Sequence, residues 1–126
     1  MNILISQTSK TPLYVQIKEQ IKEKIWKGEL KEGDLLPSMR VLAKDLQVSV
    51  ITTKRAYEEL ESEGFLFSSV GKGTFVAGQQ SHVLKEWQIR EIENQLEELV
   101  LEAKRLGLSE QDLVDMIRIY YKDGER

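Results

Sequence analysis

Residues 36–76 read LPSMRVLAKDLQVSVITTKRAYEELESEGFLFSSVGKGTFV. Ser38 stands where a helix N-cap is needed, before a short apolar-periodic run whose buried side would be Leu42, Ala43 and Leu46. The tripeptide QVS interrupts that run, and Ser49 can cap a third helix, VITTKRAYEELESE, which Gly64 terminates. Two short helices joined by a turn of three or four residues make a helix-turn-helix. In FLFSSVGKGTFVA, apolar residues flank a glycine-bearing turn, the pattern of a two-stranded hairpin. A phosphate-binding loop would need G-x-x-x-x-G-K-[ST], but Gly73 follows Gly71-Lys72, and Leu66 stands five places before Gly71. The glycines therefore serve a tight turn that leaves Lys72 exposed at the hairpin tip.

To the N-terminal side, TPLYVQIKEQIKEKIWKGEL predicts a first helix with Thr11 as cap and Pro12 at the first helical position. Leu13, Ile17, Ile21 and Ile25 form its apolar stripe, Tyr14 widens it, and Gly28 closes the helix. To the C-terminal side, GQQSH reads as a polar linker. A long helix then runs from about Val83 to Leu106, with Ile89, Ile92, Leu96, Leu99, Ala103 and Leu106 at coiled-coil-like spacings of 3, 4, 3, 4 and 3. After Gly107, Ser109 and Asp112 resemble a capping box that opens a last helix, with Leu113, Ile117, Tyr120 and Tyr121 on one face.

The chain's 126 residues suffice for one small domain with an appendage. Its composition, 40% hydrophobic and 31% charged, is that of a globular protein. No apolar run approaches the ~20 residues that span a bilayer, and the N-terminus lacks the pattern of a signal peptide, so a cytoplasmic location without membrane association is expected. With no cysteine there is no disulfide, thiolate metal site or cysteine nucleophile. The net charge of −3 is unevenly distributed: residues 1–80 hold 11 Lys/Arg against 10 Asp/Glu, and residues 81–126 hold 7 against 11. Within residues 36–57, Arg40, Lys44, Lys54 and Arg55 face Asp45 alone, which allows a local basic patch on an acidic protein.

Catalysis finds little support. The single histidine, His82, lies in the linker without a partner motif, and neither a G-x-S-x-G nor an H-E-x-x-H pattern is present. No metal or cofactor is implied. The third helix is more informative. At 100° per residue, Thr53, Ala56, Tyr57 and Leu60 share the packed side, so Val50, Ile51, Lys54, Arg55 and Glu58 face outward, with Thr52 at the edge. Adjacent exposed β-branched residues at a helix start suit entry into a DNA major groove, where methyl groups can meet the thymine methyl and a hydroxyl can bond phosphate or base, and Arg55 on the same face is expected among the DNA-binding residues. The alternatives are a purely structural three-helix core and a winged-helix module that docks proteins.

The same stretch resembles the winged helix-turn-helix of GntR-family bacterial transcription regulators, whose pattern reads approximately LPSxRxLAxxLxVSxxTVxxAxxxLExEGxIxxxxGxGTFV. The resemblance covers residues 11–78, and the short tail is similar to that of the YtrA-like subgroup. It implies a mainly α fold with a small β-hairpin wing, divided into a DNA-binding domain at 1–78 and a two-helix dimerisation tail at 79–126. It also implies a homodimer bound to double-stranded operator DNA, a repressor's role and control of a membrane-transport operon. The family's DNA contacts fall on Arg40, on Ser49, Val50, Ile51, Thr52 and Lys54, and on Gly71 with Lys72 in the wing. Val50 stands where many relatives have arginine, so it cannot make a bidentate guanine contact. Gln47 stands where they have glycine and must fit a tight turn at a conformational cost. Whether a small-molecule effector binds stays open at this level: Trp87 and Tyr120 are candidates to line a pocket, with aromatic core packing as the alternative.

Overall fold

A computed structural model describes residues 1–78 and 82–124. Its elements in order are α1 (Leu13–Trp26), α2 (Met39–Leu46), α3 (Val50–Ser62), β1 (Leu66–Ser69), β2 (Gly73–Val76), α4 (His82–Arg105) and α5 (Glu110–Gly124). The fold is mainly α with a small antiparallel sheet. Two compact units divide the chain, Met1–Gln88 and Ile89 onward.

In the first unit, Ile17, Ile21 and Ile25 of α1 meet Leu42 of α2, Ala56, Tyr57 and Leu60 of α3, and Leu66 and Val76 of the hairpin in one buried cluster. The apolar stripes read from the sequence are thus the packed faces. The start of α1 differs from the expectation. Pro12 is itself the cap residue, with extended ψ of 146° and no side-chain cap, and its carbonyl accepts from Val15 and Gln16. Thr11 does not cap, and its carbonyl is taken by Gln16 Nε2 at 2.8 Å.

Gln16 and Gln20 also hold a segment the sequence did not reveal. Gln16 Oε1 accepts from Ser6 N at 2.8 Å and its amide donates to Ser6 O; Gln20 does the same for Leu4. This satisfies the backbone of an extended strap and lets Ile3 reach the core. A second unforeseen segment precedes α2. Leu36 N donates to Thr74 O and Val76 N to Asp34 O, with Leu35 bridged to Phe75, so residues 34–36 add a third edge to the two-stranded hairpin.

Only part of the expected linker falls within the described residues. His82 is the first residue of α4 rather than a linker residue. Leu84 is buried in the first unit's core and Trp87 packs against it, with ring centroids 5.0 Å from Phe65 and 6.2 Å from Trp26. Trp87 is therefore a core aromatic. The first unit runs past residue 78 because these two side chains belong to it.

The second unit contains the rest of α4, with α5. Leu108 N donates back to Ala103 O through the turn at Gly107, and Ser109 and Asp112 form the reciprocal capping box, with bonds of 2.8 and 3.1 Å. Hydrogen bonding to the carboxyl from the Ser109 backbone N–H first, and from the Ser109 side chain second, holds Asp112 below its usual range. Among the described residues of this unit only Ala103 is buried. Its place on the seam is therefore filled within its own chain, unlike Ile89, Ile92, Leu96, Leu99 and Leu106, which are all exposed. Tyr120 is exposed as well.

Candidate nucleic-acid interface

The outward face of α3 follows from what fixes its inner face. Thr53 Oγ1 lies 2.9 Å from Met39 O, and Tyr57 Oη donates to Pro37 O at 2.7 Å, so two hydroxyls of α3 grip the start of α2. With Thr53, Ala56, Tyr57 and Leu60 turned inward, Val50 is left 41% and Ile51 78% exposed. Ser49 caps the helix, accepting from Thr52 N, and its hydroxyl shares a 2.9 Å hydrogen bond with that of Thr52. The first turn of α3 thus presents two branched apolar side chains and a hydroxyl pair.

The turn before it carries strain. Gln47 closes α2 in the left-handed region, with φ 56° and ψ 46°, the one non-glycine residue of positive φ among those described. It bears out the conformational cost expected from a side chain at this place.

Beside α3, β1 pairs with β2 in the register Leu66↔Val76 to Ser69↔Gly73. Ser68 N and Oγ both donate to the Glu61 carboxylate of α3 at 3.1 Å, which anchors the hairpin to the helix. At the tip Lys72 N donates to Ser69 O, and Gly71 takes φ 76°. Gly73 has φ 117°, a backbone conformation that strains any other residue, while the nearest obstacle to a Cβ, the exposed Leu35 Cδ1 at 2.8 Å, is a side-chain end that can move. The wing is therefore a fixed projection.

The structure brings Arg40 and Lys72 to one open cleft of about 430 Å³, shared with Ser38 and Thr74 between the start of α2 and the wing. Lys54 is more loosely held, 3.8 Å from Glu58 on the next turn. Arg55 is placed differently from the other cations: its guanidinium carbon lies 3.8 Å from the Tyr14 ring centroid, and Nε donates to Glu59 Oε2 at 3.1 Å. Glu59 also accepts from Lys18, and those two cations, Lys18 first, hold its carboxyl below the usual range. Tyr14, expected only to widen the apolar stripe of α1, and Glu59, an ordinary surface charge by its sequence, are the partners of Arg55 that the sequence did not reveal. Among the described residues no His, Asp and Glu cluster could hold a metal ion, and no helix is long and apolar enough to cross a membrane.

An exposed helix start flanked by cations, with a rigid hairpin beside it, is how one class of protein meets the DNA grooves. The fold defines a winged helix-turn-helix transcription regulator. Residues 13–76 match the family described as "Bacterial regulatory proteins, gntR family", and the chain belongs to that GntR family. It is 37% identical over 116 residues to the HTH-type transcriptional repressor YtrA of Bacillus subtilis (strain 168), covering 92% of this chain and 89% of that protein. The structure of YtrA from Sulfolobus acidocaldarius, a GntR-family transcription factor, is similar with a TM-score of 0.58 and 35% identity, over 98% of this chain and 100% of that one. The AraR DNA-binding domain in complex with operator ORX1 matches at TM-score 0.55 and 32% identity, over 61% of this chain and 96% of that one. These relatives are regulators, not enzymes.

Proposed function

We propose that the chain is a homodimeric repressor that reads a palindromic operator with α3 and grips its phosphates with Arg40, Lys54 and Lys72. The exposure of Val50 and Ile51 at the capped start of α3 carries this reading, since water is a poor environment for both and thymine methyl groups are a good one. Ser49 and Thr52 add hydroxyls at the same edge, and the Gly71 backbone lets the wing approach a groove closely. The AraR operator complex supports the DNA partner, and the name of the Bacillus relative supports repression. Control of a membrane-transport operon rests on the resemblance of the tail to the YtrA-like subgroup.

Pairing is assigned to the second unit. Its exposed seam borders an apolar groove of about 470 Å³ lined by Leu96, Leu99, Leu106, Leu113, Met116 and Tyr120. A second copy of the same surface is the cover that places two recognition helices on one face of DNA. Selection of bound sequences from random DNA tests the reading: inverted repeats with half-sites about one helical turn apart, or a multiple of it, are expected. Enriched sequences without inverted symmetry, or no enrichment, reject it.

A further inference from the structure

Tyr14, Lys18 and Lys22 recur every four residues along α1, as do Arg55 and Glu59 along α3 and Glu63 at its C-cap. Residues four apart lie one above the other on a helix, so two such columns can face each other as rungs. Here they do. Arg55 stacks on Tyr14 at 3.8 Å; Lys18 Nζ lies 2.8 Å from both Glu59 Oε1 and Glu63 Oε2; Lys22 Nζ lies 3.6 Å from Glu63 Oε1. The Arg55–Glu59 bond within α3 joins the first rung to the second. The lysine side chains are only 11% and 15% exposed, whereas that of Arg55 is 59% exposed, so the ladder opens to solvent at the end nearer the start of α3.

We propose that Arg55 is a positioning residue for DNA recognition: it locks the open end of this ladder, sets the tilt at which α3 presents Ile51, and makes no phosphate contact of its own. The inference rests on the DNA-binding reading above. One face of the guanidinium is covered by the Tyr14 ring and its Nε is bonded to Glu59, so the group is held against α1, and swinging it away toward a phosphate would break both contacts. It would also strip Glu59 of one of its two cationic partners, leaving it paired with Lys18. Ile51 lies one helical turn before Arg55, so a tilt released at Arg55 displaces it directly. Lysine would retain the charge but not the planar stack.

DNA titrations over a salt series test this with two duplexes, one selected from random DNA by the wild-type chain and one a scrambled version of it. Arg55→Ala and Tyr14→Leu should each lower the ratio of the two affinities about two- to fivefold, with the salt slope unchanged. Tyr14→Phe, which keeps the ring, should discriminate like wild type, and Arg55→Lys should fall between. A slope for Arg55→Ala reduced by about 0.9, the mark of one lost phosphate contact, overturns the proposal. So does full discrimination by either Arg55→Ala or Tyr14→Leu. Melting curves confirm that each variant is folded, and Tyr14→Leu carries the test if Arg55→Ala is not. A wild-type chain that prefers no duplex overturns the DNA-binding reading instead. The rung then stands or falls on urea unfolding of the two single variants and the double variant, where additive effects remove it.

Discussion

Tyr57 Oη donates to Pro37 O over 2.7 Å, which ties the middle of α3 to the residue just before the cap of α2. Burial pushes the phenol far above its ordinary pKa. The folded state therefore keeps the proton at pH values where the unfolded chain, titrating near ~10, gives it up. The stability this contributes is complete below that pH and is lost as pH rises toward the folded value.

Tyr57→Phe should accordingly cost about 1 kcal/mol at neutral pH, through the lost hydrogen bond. It should also remove part of the alkaline loss. Urea unfolding between about pH 8 and about pH 11 checks this, because wild type should lose stability more steeply than the variant across the ordinary tyrosine range. Parallel curves would contradict the assignment.

Gln47 holds a left-handed conformation that glycine adopts freely. Gln47→Gly should raise stability by about 0.5–1 kcal/mol, since relief of the side-chain clash outweighs the added freedom of the unfolded chain. Thermal unfolding reads the gain, and an unchanged or lower midpoint counts against strain at this turn.

These two residues show how far the sequence could be read. Ser38 and Ser49 as caps, the packed faces of α1 and α3, and the glycine-tipped wing were legible because each rests on a local rule. The strap held by Gln16 and Gln20 was not, because its bonds join residues 10 and 16 apart and leave no periodic trace. Residues 34–36 were too short to read as a strand before Pro37. In α4, spacing revealed an apolar stripe but not which surface covers it, so Trp87 and Leu84 could not be assigned to the first unit. For Arg55, an outward position on the helix wheel left its partner on α1 unseen.

Arg40, Lys54 and Lys72 are assigned to phosphates. Alanine at any one should weaken binding to all duplexes alike and lower the salt slope by about 0.9. A salt titration in which all three keep the wild-type slope removes them from the interface.

Ile51 is assigned to a base edge. Ile51→Ala should cost on the order of 1 kcal/mol at a site with a thymine methyl beneath it, and much less where that methyl is absent. Comparing thymine with uracil at each selected position provides the measurement, and equal losses on both duplexes refute the placement.

The compact unit ends at Gln88, which locates a useful truncation. A chain ending there should be a folded monomer that binds a half-site normally and loses roughly 10²–10⁴-fold on a palindrome, through lost effective concentration. A chain ending at Gln80 should be less stable by about 1.5–3 kcal/mol for the loss of Leu84 alone, before Trp87 is considered. Equilibrium sedimentation and DNA titration distinguish the two, and a monomeric full-length chain would overturn the pairing.

With Ala103 its one buried side chain among those described, the second unit has almost no interior of its own. If a second copy supplies that interior, the folding of α5 and of α4 beyond Gln88 becomes a bimolecular event governed by mass action. Its melting temperature should then climb with protein concentration while that of the first unit stays constant. In a cell the number of chains made would decide not only how many operators are occupied but how many of the chains are completely folded.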